Sequence, residues 1–199
     1  RWSNVVTFTP TNAYTFTVND GSATNEYVPF YGYYADTGTK GQFIIPASTL
    51  QNIAYGTINK LTFYVNNSTS NTTFTSSNSG ISSIFEVYMG EVNNTTFDGN
   101  TLNEWTSLEK VMNAANLEVK DHMMVVTLDT PYQYMGGNLL IGFNETTSGG
   151  YAHTYWYGVT ANGASLGGYG DNFSQKDFWP KTTFDYTPGE APSCPKPTG

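Results

Sequence analysis

Apolar and polar positions alternate with a period of two along most of this chain, the signature of strands with one dry and one wet face. Val6 and Phe8 alternate with Thr7 and Thr9, and Tyr14, Phe16 and Val18 with Thr15 and Thr17. Leu61, Phe63 and Val65 oppose Thr62 and Tyr64, while Phe85, Val87 and Met89 oppose Glu86 and Tyr88. Phe184 and Tyr186 oppose Thr183, Asp185 and Thr187. Two stretches are apolar on both faces, residues 123–128 (MMVVTL) and 139–143 (LLIGF), which predicts central strands covered on both sides. Turn chemistry separates these runs at Asn19-Asp20-Gly21, Asp98-Gly99-Asn100, Asp129-Thr130-Pro131 and Met135-Gly136-Gly137-Asn138.

Helical signal is slight. Residues 46–51 (PASTLQ) can make one turn, with proline early, where a first turn tolerates it. Residues 103–113 can hold another short turn before a strand. Ten to twelve short strands with frequent turns and no internal repeat predict an all-β chain folded as a jelly-roll-like β-sandwich.

Two segments fall outside the alternation. Residues 66–79 (NNSTSNTTFTSSNS) are polar and of low complexity, which predicts a long mobile loop with Phe74 as its one anchor. Residues 188–199 (PGEAPSCPKPTG) carry four prolines, the composition of a semi-rigid spacer. The expected organisation is a binding module over residues 1–187, a linker over 188–199 and a further domain attached beyond it. The one cysteine, Cys194, falls in that linker, so no intrachain disulfide can form and the fold must rest on its core.

Charge narrows the function classes. Only 12% of residues are charged, about half the usual share, and polarity comes instead from Asn, Thr, Ser, Gly and Tyr, as in many extracellular β-proteins. A net charge of −8 with 8 basic residues gives phosphates nothing to bind, which argues against nucleic acid. No apolar run approaches the length of a membrane span.

Catalytic chemistry finds little support. Gly163-Ala164-Ser165-Leu166-Gly167 matches G-x-S-x-G, but no helix signal follows, and His122 and His153 both precede the serine where that motif's base comes after it. A glycosidase needs two carboxylates across a cleft. Glu86, Glu91, Glu118 and Asp185 lie on predicted strands, with nothing to pair them. Two isolated histidines and a linker cysteine fit no zinc spacing. Calcium is possible at turn-like Asp20, Asp36, Asp98, Asp171 or Asp177, against the reading that these cap backbone N–H groups. Asn-x-Ser/Thr triplets begin at Asn66, Asn67, Asn71, Asn93, Asn94, Asn144 and Asn172, which are possible glycosylation acceptors, against the favoured reading that a chain rich in these residues produces them by chance.

Aromatic residues are the true excess, at 16% of the chain with tyrosine the commonest. They cluster in residues 27–36 (YVPFYGYYAD), in 151–158 (YAHTYWYG) and around Tyr169, Phe173, Phe178 and Trp179. In the second cluster Tyr151, His153, Tyr155 and Tyr157 share one strand face and Trp156 shares the other with Ala152, Thr154 and Gly158. A Tyr/His ladder is too polar for an ordinary core, and a tryptophan among small residues is not covered by its own strand. One of the two faces is therefore expected at the surface.

Several phrases resemble a module of large surface and secreted proteins of gut and oral Bacteroidetes, similar to the cleaved-adhesin regions of gingipain-type proteins. They are residues 28–51 (VPFYGYYADTGTKGQFIIPASTLQ), 85–97 (FEVYMGEVNNTTF), 131–147 (PYQYMGGNLLIGFNETT), 155–170 (YWYGVTANGASLGGYG) and 178–188 (FWPKTTFDYTP). The resemblance implies a β-sandwich at the cell surface or outside the cell, often followed by a fibronectin-type-III-like domain. It supplies no catalytic motif.

The sequence thus points to a non-catalytic extracellular module that binds glycan or polysaccharide. The expected platform is Trp156 with Tyr155 or Tyr157, together with Tyr33, Tyr34 and Trp179, and with Asp36, Asp171 and Asn172 as polar partners. The alternative is an adhesin that binds a host protein, or a structural spacer, which would present a broad apolar patch or a free strand edge.

Overall fold

The computed structural model describes residues 13–192. The strand expected at Val6 and Phe8 and the linker from residue 193 onward, Cys194 included, lie outside the described residues. Thirteen strands follow in order: β1 (Tyr14–Val18), β2 (Ala23–Asn25), β3 (Thr39–Ile45), β4 (Thr57–Tyr64), β5 (Ile84–Val92), β6 (Glu109–Ala115), β7 (Met123–Gln133), β8 (Asn138–Thr147), β9 (Trp156–Thr160), β10 (Ser165–Tyr169), β11 (Asn172–Gln175), β12 (Phe178–Pro180) and β13 (Thr182–Thr187). The first region of helical signal forms two consecutive 3-10 turns, Ala47–Thr49 and Gln51–Ile53, and the second forms one, Trp105–Ser107. No helix among the described residues is long and apolar enough to cross a membrane.

The architecture is the expected β-sandwich. A four-stranded sheet, β1-β13-β4-β7, faces a six-stranded sheet, β11-β10-β3-β8-β5-β6, and a small sheet, β12-β9-β2, completes the molecule. All paired strands run antiparallel. The chain passes from β3 in one layer to β4 in the other and back to β5, then repeats the exchange over β6, β7 and β8. Inner faces meet through aromatic edges: Phe63 of β4 stands edge-on to Phe43 of β3 and to Phe143 of β8, with ring centroids 6.1 and 5.5 Å apart.

The two doubly apolar stretches part company. In β8, residues 139–143 are buried on both faces. Leu139, Ile141 and Phe143 enter the main core, and Leu140 joins Ile44, Leu166 and Phe97 in a second cluster outside the sheet. A strap formed by residues 93–108 covers that outer cluster. Gln42 fastens it by donating from Nε2 to Asn103 O (2.9 Å) and accepting from Asn103 N (2.7 Å). By contrast β7 is an edge strand of its sheet, not a central one. Met124, Val126 and Leu128 point inward while Met123 and Val125 remain 38% and 47% exposed. Its outer methyl groups look like core in the sequence and lie at the surface.

Residues 66–79 have more anchors than Phe74. That ring is fully buried, edge-on to Phe30 at 5.3 Å. Thr69 is also buried, and its hydroxyl accepts from Tyr155 N at 2.9 Å. Bridges of strand type join Thr72 to Val119 and Thr75 to Ser82. The segment is short of apolar residues yet secured by its hydroxyls, which composition alone does not reveal. At the other end, β13 closes at Thr187, and Gly189 still lies against the Tyr55 backbone.

Candidate binding face

The aromatic run before β3 folds as a 3-10 turn, Gly32–Tyr34. Gly32 O accepts from Ala35 N within the turn and from Ala152 N at 2.9 Å, which draws the turn alongside residues 151–155. The approach is close enough to demand glycine: a Cβ at position 32 would lie 2.6 Å from Thr154 Oγ1 and 2.7 Å from Ala152 O. Tyr31 N donates to the Thr39 hydroxyl, and that hydroxyl donates to Gly168 O. Gly170 N donates to Gly38 O. The start of β3 is therefore bound to the end of β10, and two segments distant in sequence present their rings together.

Those rings form a continuous strip. Tyr155 stacks parallel to His153 at 6.4 Å, and His153 stacks on Tyr33 at 4.2 Å. Tyr33 meets both Tyr151 (5.5 Å) and Tyr34 (5.3 Å) edge-on. Tyr34 lies flat on Tyr169, at 3.7 Å and 2° between planes. Tyr31 continues the strip to Tyr27, whose ring carries Lys176 Nζ at 3.7 Å. Tyr33 is 36% exposed and Tyr151 59%, so the middle of the strip faces solvent. The Tyr169 phenol stacked against it pushes the Tyr34 phenol up, as burial does for Tyr31. Both hydroxyls stay neutral well above physiological pH and can donate as well as accept. Burial holds the Lys176 ammonium below the ordinary lysine range.

A groove runs beside the strip. Tyr33, Tyr34, Asp36, Thr37 and Tyr151 enclose a cavity of about 250 Å³. Asp36 and Tyr151 also border an adjoining cleft of about 410 Å³, whose far wall is Thr75, Ser76, Ser77 and Asn78. The polar segment thus supplies hydroxyls and an amide opposite the rings. Beneath the wall, Glu145 of β8 is 6% exposed, with Oε2 accepting from Thr39 N at 2.7 Å. Burial is the main cause that raises its carboxyl to about 7, opposed by hydrogen bonding from Ser83 and Thr39 and reinforced by Asp36. The Ser83 proton itself is directed at Ala35 O (3.1 Å), and Oε1 has no partner with hydrogen-bond geometry among the described residues. The bond from Thr39 N is therefore the chief one opposing burial, and Oε1 is a buried acceptor without a partner among the described residues.

The residues marked in the sequence divide between different places. Tyr33, Tyr34, Asp36 and Tyr155 come together in this face. Trp156 does not: it is fully buried, edge-on to Phe30 at 5.4 Å, and its indole N–H donates to Phe30 O at 3.0 Å. The small residues around it leave room for the opposing layer, so the bare side of that strand is the packed side. Trp179, on β12, is partly buried and donates to Ile44 O at 2.6 Å, away from the strip. Tyr157, on β9, is partly exposed but stacks on none of these rings. Exposed Asp171 borders a separate cavity beside Trp105, and Asn172 pairs in register with Tyr169. Tyr31, Tyr151, His153 and Tyr169 complete the face. The alternation at 151–157 places Tyr151 and His153 together on one face without saying that this face is the wet one; Tyr31 and Tyr169 depend on the β3–β10 pairing.

Six further candidates have local partners. Ser165 is buried on β10 and accepts from Phe178 N, in a strand and not at an elbow. Glu91 accepts from Met135 N and Gly137 N, Glu86 pairs with Lys110, and Asp185 pairs with Lys60. Asp20 pairs with Lys181, and Asp177 accepts from Gly163 N. No group of three or more His, Cys, Asp or Glu side chains comes together as a metal site among the described residues. Comparison with family models, with curated proteins and with solved structures yields no match for this chain.

Proposed function

We propose that this chain is a non-catalytic carbohydrate-binding module of an extracellular or cell-surface protein, and that the Tyr33–Tyr151–His153 strip is its platform. The observation that carries the reading is a run of solvent-facing rings beside a groove walled by hydroxyl, amide and carboxylate groups. Pyranose rings offer an apolar C–H face and a periphery of hydroxyls, and they need both kinds of surface at once. Tyrosine suits the first, since a ring with a polar tip can stay half wet without loss. Asp36, Ser76 and Asn78 suit the second. Among the described residues Asp36 is the one carboxylate bordering both clefts, and the buried Glu145 lines neither, which favours a binding role over the two-carboxylate arrangement of glycoside hydrolysis.

A glycan array followed by calorimetry tests the reading. Tyr33→Ala and Tyr151→Ala should each weaken binding of the best glycan by about tenfold or more, equivalent to about 1.4 kcal/mol, with unchanged circular dichroism. Silence across the array would sink the reading in favour of a protein ligand, and full glycan affinity in both variants would remove the strip as its platform.

A further inference from the structure

A second cavity lies on the outer face of the six-stranded sheet, away from the tyrosine strip. Its volume is about 310 Å³, and Trp105, Phe173, Asn100, Asn103, Glu104 and Asp171 line it. Trp105 sits on the 3-10 turn of the strap and lies against Gly142, where a Cβ would come within 2.6 Å of its Cζ3. Tyr88 supports it from the side at 5.1 Å. The indoles of Trp156 and Trp179 are each tied to a backbone carbonyl; that of Trp105 makes no such bond among the described residues.

The walls are fixed by side chains that are themselves engaged. Gln42 clamps the Asn103 backbone from both sides. Gln175 Nε2 donates to Phe97 O at 2.9 Å, and Gln175 N donates to Asn100 Oδ1 at 3.2 Å. A ring held on a flat glycine floor, facing a pre-formed hollow with amides and carboxylates at its rim, has the make-up of a small-molecule site. We infer that the Trp105 cavity is a second, independent subsite for a neutral pyranose unit. Charge selects that class: among the described residues two carboxylates border the hollow and no lysine or arginine does, which disfavours uronates and sulfated sugars. The inference shares its ligand class with the function proposed above and rests on different residues.

The test uses the full chain labelled with 15N and neutral hexasaccharides of glucose, mannose, galactose and xylose, with hexagalacturonate as the anionic control. At least one neutral sugar should shift the Trp105 indole N–H signal, and hexagalacturonate should not. Trp105→Ala and Asp171→Ala should each weaken that event about tenfold or more while Tyr33→Ala leaves it intact. Asp171 is exposed, so its variant remains decisive if Trp105→Ala fails to fold. Loss of sugar binding confined to Tyr33→Ala and Tyr151→Ala overturns this subsite and leaves the strip standing. Loss confined to Trp105→Ala and Asp171→Ala supports the subsite and removes the strip. No shift with any neutral sugar overturns the subsite outright.

Discussion

Glu145 shows how one residue ties stability to pH. Its carboxyl stands at about 7 in the folded protein against an ordinary 4.5, so the folded state favours the proton. Stability from this group is complete below pH 4.5 and is lost as pH rises through 7. The rise from 4.5 to about 7, at about 1.4 kcal/mol per pH decade, corresponds to about 3 to 4 kcal/mol. Glu145→Gln keeps an acceptor for the Thr39 N–H and removes the charge. The variant should melt with the parent at pH 4 and about 5 to 10 °C above it at pH 8. Differential scanning calorimetry at both values checks this, and an offset independent of pH would show that the buried charge is not the cause. Trp156 carries the opposite lesson. Its truncation opens a core cavity and orphans Phe30 O, at a cost of about 3 to 5 kcal/mol. A loss of ligand binding in that variant would report unfolding, not a lost contact.

At the scale of elements, alternation was a good guide to strands and a poor one to what covers them. The pattern at residues 151–157 correctly separated Tyr151, His153 and Tyr155 from Trp156. It left open which side faced water, because that depends on Phe30 arriving from 126 residues away. The same holds for MMVVTL and LLIGF, equally apolar in sequence. One gains an outer cover from the strap at 93–108 and the other lies at a sheet edge. The tyrosine strip was half legible: its members stood in recognised clusters, but the stack of Tyr34 on Tyr169 needs the β3–β10 register. That assembly gives the turn at Gly32 its importance. Gly32→Ala would press a methyl into Ala152 O and Thr154, forcing Tyr33 away from His153. It should lower stability by about 1 to 3 kcal/mol and weaken glycan binding, although no ligand contact is removed. Chemical denaturation with parallel calorimetry measures both, and a variant unchanged in each would show that the close approach does not position the strip.

For the whole molecule, the acidic balance and the proposed sites point to the same class of ligand. The net charge is −8, Asp36 borders the tyrosine groove, and Glu104 and Asp171 border the Trp105 cavity. The β10–β11 hairpin carries a part of each: Tyr169 joins the strip, while Phe173, paired opposite Gly168, points to the other face of the sheet. A scaffold that holds its rings in place through backbone hydrogen bonds gives stacking contacts, which salt barely affects. Long-range attraction between charges would instead fade as the screening length falls from about 30 Å at 0.01 M to about 3 Å at 1 M. Affinity for a neutral glycan should therefore change by less than about twofold between 0.02 and 0.5 M sodium chloride. Polyuronates and nucleic acid should not bind even at the low-salt end, where any weak cationic patch would act most strongly. Calorimetric titrations at the two salt concentrations decide the matter. A neutral glycan whose affinity collapses with salt, or a polyanion that binds at 0.02 M, would mean that charge and not ring stacking governs recognition by this fold.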